Sequence, residues 1–191
     1  MPALPELHAC PVPMPPTGSG LGRLVGHIDA ALAAPADETG NRLELALAAA
    51  ANDRALPPAA AWRTQPGCYA RHVLHADPRG RYSILAIAWA PGQFSPVHGH
   101  HTWCGYVVIG GELRETTYCY DTAAGMALPA SRMTLRHGAT RYADAGLAAV
   151  HKLGNAGDND AWSVHVYGVA GAALTQVNRV VPAAPFPQHP L

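Results

Sequence analysis

Apolar residues recur at helical spacing in two stretches near the start of the chain. The first stretch predicts a helix from Leu21 to about Ala34, which Pro35 ends because proline cannot continue a helix. Its apolar face consists of Leu24, Val25, Ile28 and Leu32. A leucine- and alanine-rich run then predicts a second helix from Asn41 to Asn52, with Asn41 as its cap.

From Trp62 onward the pattern of apolar and polar residues changes to the alternation that is typical of strands. We predict strands at 68–75, 82–89, 106–109, 113–120, 133–136, 141–142, 148–153, 162–167 and 176–181, and a loop at 121–129. Many short strands with close turns predict a mainly β fold, a sandwich or closed barrel, behind two short N-terminal helices.

The length of 191 residues suits a single domain after a short arm. We expect residues 1–20, which are rich in proline, to form a disordered or extended arm. Residues 21–191 would then be one domain. Within it we predict a helical part at 21–60, a β-barrel at 61–181 and a surface tail at 182–191.

Composition excludes several classes of partner. The formal net charge is zero, which gives no basic surface for nucleic acid. No apolar run has the length of a membrane span, and the N-terminus lacks the basic start of a signal peptide. The four cysteines are irregularly spaced and no export signal is evident, so we predict reduced thiols and a cytoplasmic location. We expect a monomer or small homo-oligomer.

The stretch from Pro91 to Gly111 carries the strongest chemical signal. His98 and His100 stand two residues apart, and residues two apart on a strand point to the same side. Two imidazoles aimed at one point form a typical binding geometry for Fe, Zn, Cu or Ni. With eleven histidines in the chain, such a pair could arise by chance, but glycines bracket this strand and a third candidate ligand follows downstream.

This stretch resembles the first motif of the cupin superfamily, G-x5-H-x-H-x3-E-x6-G, through Gly92, His98, His100 and Gly111. Cys104 stands where that motif has its metal-binding glutamate. Cupins without this glutamate include the cysteine dioxygenase family of thiol dioxygenases, which the chain resembles from about Trp62 to Val181. The resemblance implies a cupin-type jelly-roll barrel that binds Fe(II).

Two downstream motifs extend the resemblance. His151, followed four residues later by asparagine, resembles the second cupin motif and is our third metal ligand; the alternative is a histidine at a strand edge. Ser163, His165 and Tyr167 alternate along one strand face, where they can form a hydrogen-bonded relay or a plain polar surface. The family shows the same S-x-H-x-Y pattern, which implies catalytic roles for all three residues.

The resemblance also assigns Cys104 and two arginines. In animal members a cysteine of this motif is joined to the tyrosine as a thioether, so Cys104 and Tyr167 are a candidate crosslink; an inert buried thiol is the alternative. Arg71 matches the arginine that pairs with the substrate carboxylate in the cysteine-specific branch. The branch for 3-mercaptopropionate relies on a later arginine, for which Arg179 is the candidate.

The resemblance therefore implies a non-haem Fe(II) enzyme that adds both atoms of O₂ to the sulfur of L-cysteine, giving cysteine sulfinic acid in cysteine catabolism. The partners are then a small thiol and O₂. 3-Mercaptopropionate or another small thiol is the alternative substrate. Two further classes remain open, a different metal-dependent cupin and a non-catalytic barrel that binds a small molecule.

Overall fold

The computed structural model describes residues 19–53, 56 and 61–186, together with the backbone of residues 7–8. Two helices begin this part of the chain, α1 (Gly20–Leu32) and α2 (Ala36–Ala51). Ser19 caps α1, because its side chain accepts a hydrogen bond from the backbone of Gly22 at 3.0 Å. None of the described helices combines the length and the apolar character that a membrane crossing requires.

The rest of the described chain is mainly β, in two sheets. The strands are β1 (Leu7–His8), β2 (Ala70–Ala76), β3 (Ser83–Trp89), β4 (His98–His100), β5 (Cys104–Gly110), β6 (Leu113–Asp121), β7 (Met126–Leu135), β8 (Thr140–Ala143), β9 (Gly146–Gly154), β10 (Ala161–Tyr167) and β11 (Asn178–Val180). One sheet has the order β1-β2-β3-β10-β5-β8, and the other has the order β11-β4-β9-β6-β7. The two sheets and the two helices before them agree with the predicted mainly β sandwich.

Alternation along the strands divides the apolar residues between two layers. One face of the six-stranded sheet packs on the two helices, where Val107 and Val164 belong to the same apolar cluster as Ile28 and Leu47. The opposite face turns toward the second sheet, where an apolar cluster that includes Trp89 borders the cavity of the candidate site.

The second helix begins earlier than its sequence suggested, and the proposed cap is wrong. Asn41 lies inside α2, which starts after Pro35 and has Asp37 and Glu38 in its first turn. Gly40, which precedes the predicted start, lies within the helix, and the ring of Tyr142 packs where a side chain would be. A Cβ at Gly40 would lie 2.8 Å from Tyr142 Cδ1.

The predicted loop at 121–129 is mostly strand. Asp121 accepts hydrogen bonds from the backbone of Ala123 and Ala124, so a short turn joins β6 to β7. Pro129 suggested a loop, but β7 is an edge strand and tolerates a residue that cannot donate to the ladder. Residues 171–176 of the connection before β11 form a short 3-10 helix.

The predicted terminal segments fall largely outside the described residues. The arm at 1–20 is described only at β1, which pairs in parallel with β2, and at its last two residues. Of the predicted tail at 182–191, the structure describes residues 182–186, and Ala183 forms a bridge with Ala127 of β7.

Candidate metal centre

Three histidines from two neighbouring strands converge inside the sandwich. β4 pairs antiparallel with β9 so that His98 lies opposite His151, and His100 follows on the same side of β4. One ring nitrogen of each histidine lies within 4.8 Å of the corresponding nitrogens of the other two. The H-x-H spacing and the strand register together therefore create a three-nitrogen cluster.

The Nδ1 atoms of two of these histidines form hydrogen bonds that fix the orientation of the rings. His98 Nδ1 lies 2.9 Å from the carbonyl oxygen of Pro96, and His151 Nδ1 lies 2.8 Å from Glu115 Oε1. Each of these rings therefore donates through Nδ1 and keeps Nε2 as a lone-pair donor. His100 Nδ1 is buried and has no hydrogen-bond partner among the described residues.

Burial keeps the rings of His98 and His100 neutral. It lowers the pKa of His98 well below its ordinary value, helped by the neighbouring His151 and His100. Burial and His151 likewise lower the pKa of His100 to about 3. Neutral imidazoles offer lone pairs to a cation, so the cluster fits a divalent metal held by three nitrogen ligands.

The glycine between the two histidines is required by the close approach of β4 to β9. A Cβ at Gly99 would overlap the carbonyl oxygen of Gly146 and lie 2.9 Å from Leu147 Cδ2. The strands at the metal cluster therefore cannot accept a side chain at position 99 without moving apart.

We expect Gly99→Ala to lower the free energy of unfolding by about 1–3 kcal/mol, because overpacking separates β4 from β9. Gly26→Ala is the matched control, since a Cβ at this exposed helical position meets nothing within 4 Å. Alanine there should stabilise the protein by about 0.5–1 kcal/mol. Chemical denaturation of both variants checks this, and equal effects would contradict the steric account.

Ser163, His165 and Tyr167 point into the interior and are connected by hydrogen bonds. Ser163 Oγ lies 2.8 Å from His165 Nε2, and His165 Nδ1 lies 3.3 Å from the Tyr167 hydroxyl. The indole N–H of Trp89 donates to Ser163 Oγ at 2.9 Å. When serine donates to His165 Nε2 and His165 Nδ1–H donates to Tyr167, the relay does not use the phenol proton.

Cys104 lies directly across the sheet from Tyr167, as Cα partners of β5 and β10. Burial raises the pKa of the thiol to about 12, although a hydrogen bond with Tyr167 opposes this rise. Burial also raises the pKa of Tyr167 well above its ordinary value. Both groups are therefore protonated and in contact beside the metal cluster.

Arg71 is a buried cation with only 6% of its surface exposed. Its guanidinium donates to the carbonyl oxygen of Leu174 at 2.8 Å, and it forms no ion pair with a carboxylate of the described residues. Arg71 lines the same inner cavity as the three histidines and Tyr167. Arg179, in contrast, is exposed on β11 and is not among the lining residues.

Two residues of the site were not singled out from the sequence. Tyr69 lies two residues before Arg71, lines the inner cavity and packs against Trp89 with ring centroids 4.5 Å apart. Glu115 is 3% exposed and contacts His151. The available signal was weak: alternation puts Tyr69 on the side of Arg71 and Glu115 on the side of Leu113, and neither residue lies in a motif.

A second cavity of about 230 Å³ abuts the histidines from the side of β7 and β8. It shares His100, Cys104 and His151 with the inner cavity and also contains Glu115 and Arg141 in its wall. The metal cluster therefore borders two cavities, and Arg71 lines only the inner one.

Several solved structures are similar to this chain. A protein from Thermus thermophilus, TT1209, is 21% identical over 60% of this chain and 96% of its own, with a TM-score of 0.47. A Cupin 2 conserved barrel domain protein from Salinispora arenicola is 19% identical over 61% and 87%, with a TM-score of 0.43. A cupin superfamily protein from Desulfitobacterium hafniense is 15% identical over 61% and 91%, with a TM-score of 0.45.

A family comparison covers the whole site. The model of the family described as cysteine dioxygenase type I matches residues 59–179, which is more than half of the chain. The matched range begins before Tyr69 and Arg71, includes the three histidines, and extends beyond Tyr167. The chain therefore belongs to the cysteine dioxygenase type I family.

Proposed function

We propose that this protein is an Fe(II)-dependent thiol dioxygenase that converts L-cysteine and O₂ to cysteine sulfinic acid. The observation that carries the proposal is a three-histidine cluster that shares one cavity with a buried arginine without an acidic partner among the described residues. Buried charges are normally paired. An anionic substrate beside the metal would supply the missing partner.

His98, His100 and His151 would hold the iron. Bound Fe(II) would supply the redox chemistry that brings a thiolate and O₂ together. Since all three ligands are neutral, the protein itself adds no negative charge to the inner coordination shell. A thiolate is a soft anionic ligand, and such a site favours its binding over that of a neutral thiol.

Arg71 would bind the substrate carboxylate. A guanidinium can donate two parallel hydrogen bonds to a carboxylate, which fixes both the position and the orientation of the ligand. Cysteine offers a carboxylate at one end and a sulfur at the other. Because Arg71 lies in the cavity wall that also contains the histidines, it would orient the sulfur toward the metal cluster.

Tyr167 would act beside the reacting sulfur. The relay from Trp89 through Ser163 and His165 fixes the position of its oxygen and leaves its proton available for the cavity. The raised pKa of Tyr167 keeps this proton on the phenol. The hydroxyl would therefore donate a hydrogen bond to negative charge that develops on substrate oxygen or sulfur.

The contact between Cys104 and Tyr167 supports a thioether between them. Its formation would remove the thiol hydrogen and a ring hydrogen beside the phenol oxygen, with O₂ as the oxidant that accepts both. We expect the intact mass of matured protein to fall by two hydrogen atoms, because one carbon–sulfur bond replaces S–H and C–H.

Mass spectrometry after incubation with iron, cysteine and O₂ measures the crosslink. Cys104→Gly and Tyr167→Phe should each abolish the mass change, while Cys119→Ser, which alters an exposed cysteine, should leave it intact. Fully alkylatable Cys104 in active, matured protein would exclude the crosslink and leave the dioxygenase proposal standing.

Substrate choice is tested by O₂ consumption of the iron-loaded protein with three thiols in parallel. We expect cysteine to exceed cysteamine, which lacks the carboxylate. A preference for 3-mercaptopropionate would change the substrate and retain the enzyme class. No O₂ uptake with any thiol, in protein that holds stoichiometric iron, would overturn the proposal in favour of a binding barrel or another cupin reaction.

A further inference from the structure

Glu115 is a buried carboxylate at the centre of the sandwich. It lies on β6, opposite Leu153 of β9, and only 3% of its surface is exposed. An isolated carboxylate at such a depth is costly, so its hydrogen bonds must compensate for the lost water. The contacts of Glu115 therefore indicate why the chain keeps a charge here.

Three side chains donate to this carboxylate. His151 Nδ1 and the Tyr106 hydroxyl both lie 2.8 Å from Oε1, and Arg141 Nε lies 3.2 Å from Oε2. Arg141 approaches from the outer cavity and is partly exposed, whereas Tyr106 and His151 are buried. Glu115 thus connects a candidate metal ligand to a cation at the cavity wall.

The geometry points to Glu115 as a positioning residue for the metal, acting through His151. It stands in the outer shell, and Cys104 occupies the motif position of the carboxylate that binds metal directly in other cupins. This inference rests on the proposed three-histidine metal site and concerns what strengthens that site. It does not depend on which thiol is the substrate.

Two physical effects would follow from this contact. The carboxylate accepts the Nδ1 proton of His151, which fixes the tautomer that presents Nε2 to the metal. The negative charge also makes the imidazole a stronger electron donor, since a partly shared proton leaves more charge on the ring. A site made only of neutral ligands would gain most from such a second-shell charge.

A purely structural role predicts a different result. If Glu115 only connected β5, β6 and β8 through Tyr106 and Arg141, its loss would reduce the stability of metal-free protein. Metal affinity per folded molecule would then remain unchanged. Affinity and apo stability, measured separately, distinguish these two roles.

The test is Co(II) and Fe(II) affinity, measured by competition with a chelator, for wild type and Glu115→Gln. The amide is nearly isosteric and removes the charge. We expect affinity to fall by about 10–100-fold, the range seen for outer-shell partners of metal-binding histidines. The visible absorption bands of the Co(II) form should also shift, because the donor strength of His151 changes.

Two control variants test whether the loss of metal affinity comes specifically from the charge of Glu115. Glu112→Gln neutralises an exposed carboxylate nearby in the chain that pairs with Arg136, and it should leave metal affinity unchanged. Arg141→Gln removes the outer partner of Glu115 while the contact with His151 persists, so its effect should be clearly smaller. Thermal unfolding of each metal-free variant reports stability independently.

Each outcome has a defined meaning. Unchanged affinity and spectrum in Glu115→Gln would overturn the inference and leave the proposed function intact. Failure of wild type to bind either ion would overturn the proposed function itself. If Glu115→Gln does not fold, Glu115→Asp replaces it, because the shortened side chain cannot keep its contact with His151, and the same loss of affinity is expected.

Discussion

His98→Ala is expected to lose bound iron and dioxygenase activity together. His98 is 5% exposed, and one of its ring nitrogens lies within 4.8 Å of the corresponding nitrogens of His100 and His151. Alanine removes one of three ligands, and two imidazoles do not hold a labile ion against dilution. The loss in affinity should exceed the roughly 10–100-fold cost of disturbing an outer-shell partner.

Metal analysis after desalting measures this effect, with turnover of cysteine measured in parallel. His101→Ala is the matched control, since His101 directly follows His100 and is exposed. It should retain wild-type iron content and activity. Full iron occupancy in folded His98→Ala protein would show that the three-histidine assignment is wrong.

Arg71→Gln is expected to reduce kcat/KM for cysteine by about tenfold to a hundredfold. A hydrogen bond to a charged group contributes about 1.5–3 kcal/mol, which corresponds to this range. The effect should be selective. Cysteamine has no carboxylate for Arg71 to bind, so its kcat/KM should change little. In Arg71→Gln, the ratio of kcat/KM for cysteine to kcat/KM for cysteamine should therefore approach one.

Arg179→Gln is the control for this prediction, because Arg179 is exposed on β11 outside the lining of the inner cavity. It should leave cysteine kinetics unchanged. The reverse result, with Arg71→Gln silent and Arg179→Gln inactive, would reassign the carboxylate anchor. 3-Mercaptopropionate would then become the leading substrate.

Much of the fold follows from local patterns in the sequence. The pattern of apolar residues located most of the strands, because strands such as β3, β5 and β10 are largely buried. The H-x-H spacing anticipated that two imidazoles share one side of β4. The antiparallel pairing of His98 with His151 depends on strand register, which the sequence of either strand alone does not specify.

The remaining features depend on tertiary contacts. Glycine has a low helix propensity, yet Gly40 lies within α2. Tyr142, about a hundred residues later in the chain, packs against it. Glu115 is one polar residue in a strand with polar residues on both faces, so its burial depends on which face turns inward. Arg71 was assigned by family resemblance, and only the structure shows that the described residues give it no carboxylate partner.

The most direct test of the central claim is oxygen labelling. Iron-loaded wild-type protein would react with cysteine under ¹⁸O₂, and the product would be analysed by mass spectrometry. The account predicts cysteine sulfinic acid in which both sulfinate oxygens carry the label, formed with an equal amount of consumed O₂. Cystine as the sole product, or a sulfinate labelled at one oxygen or neither, would contradict it.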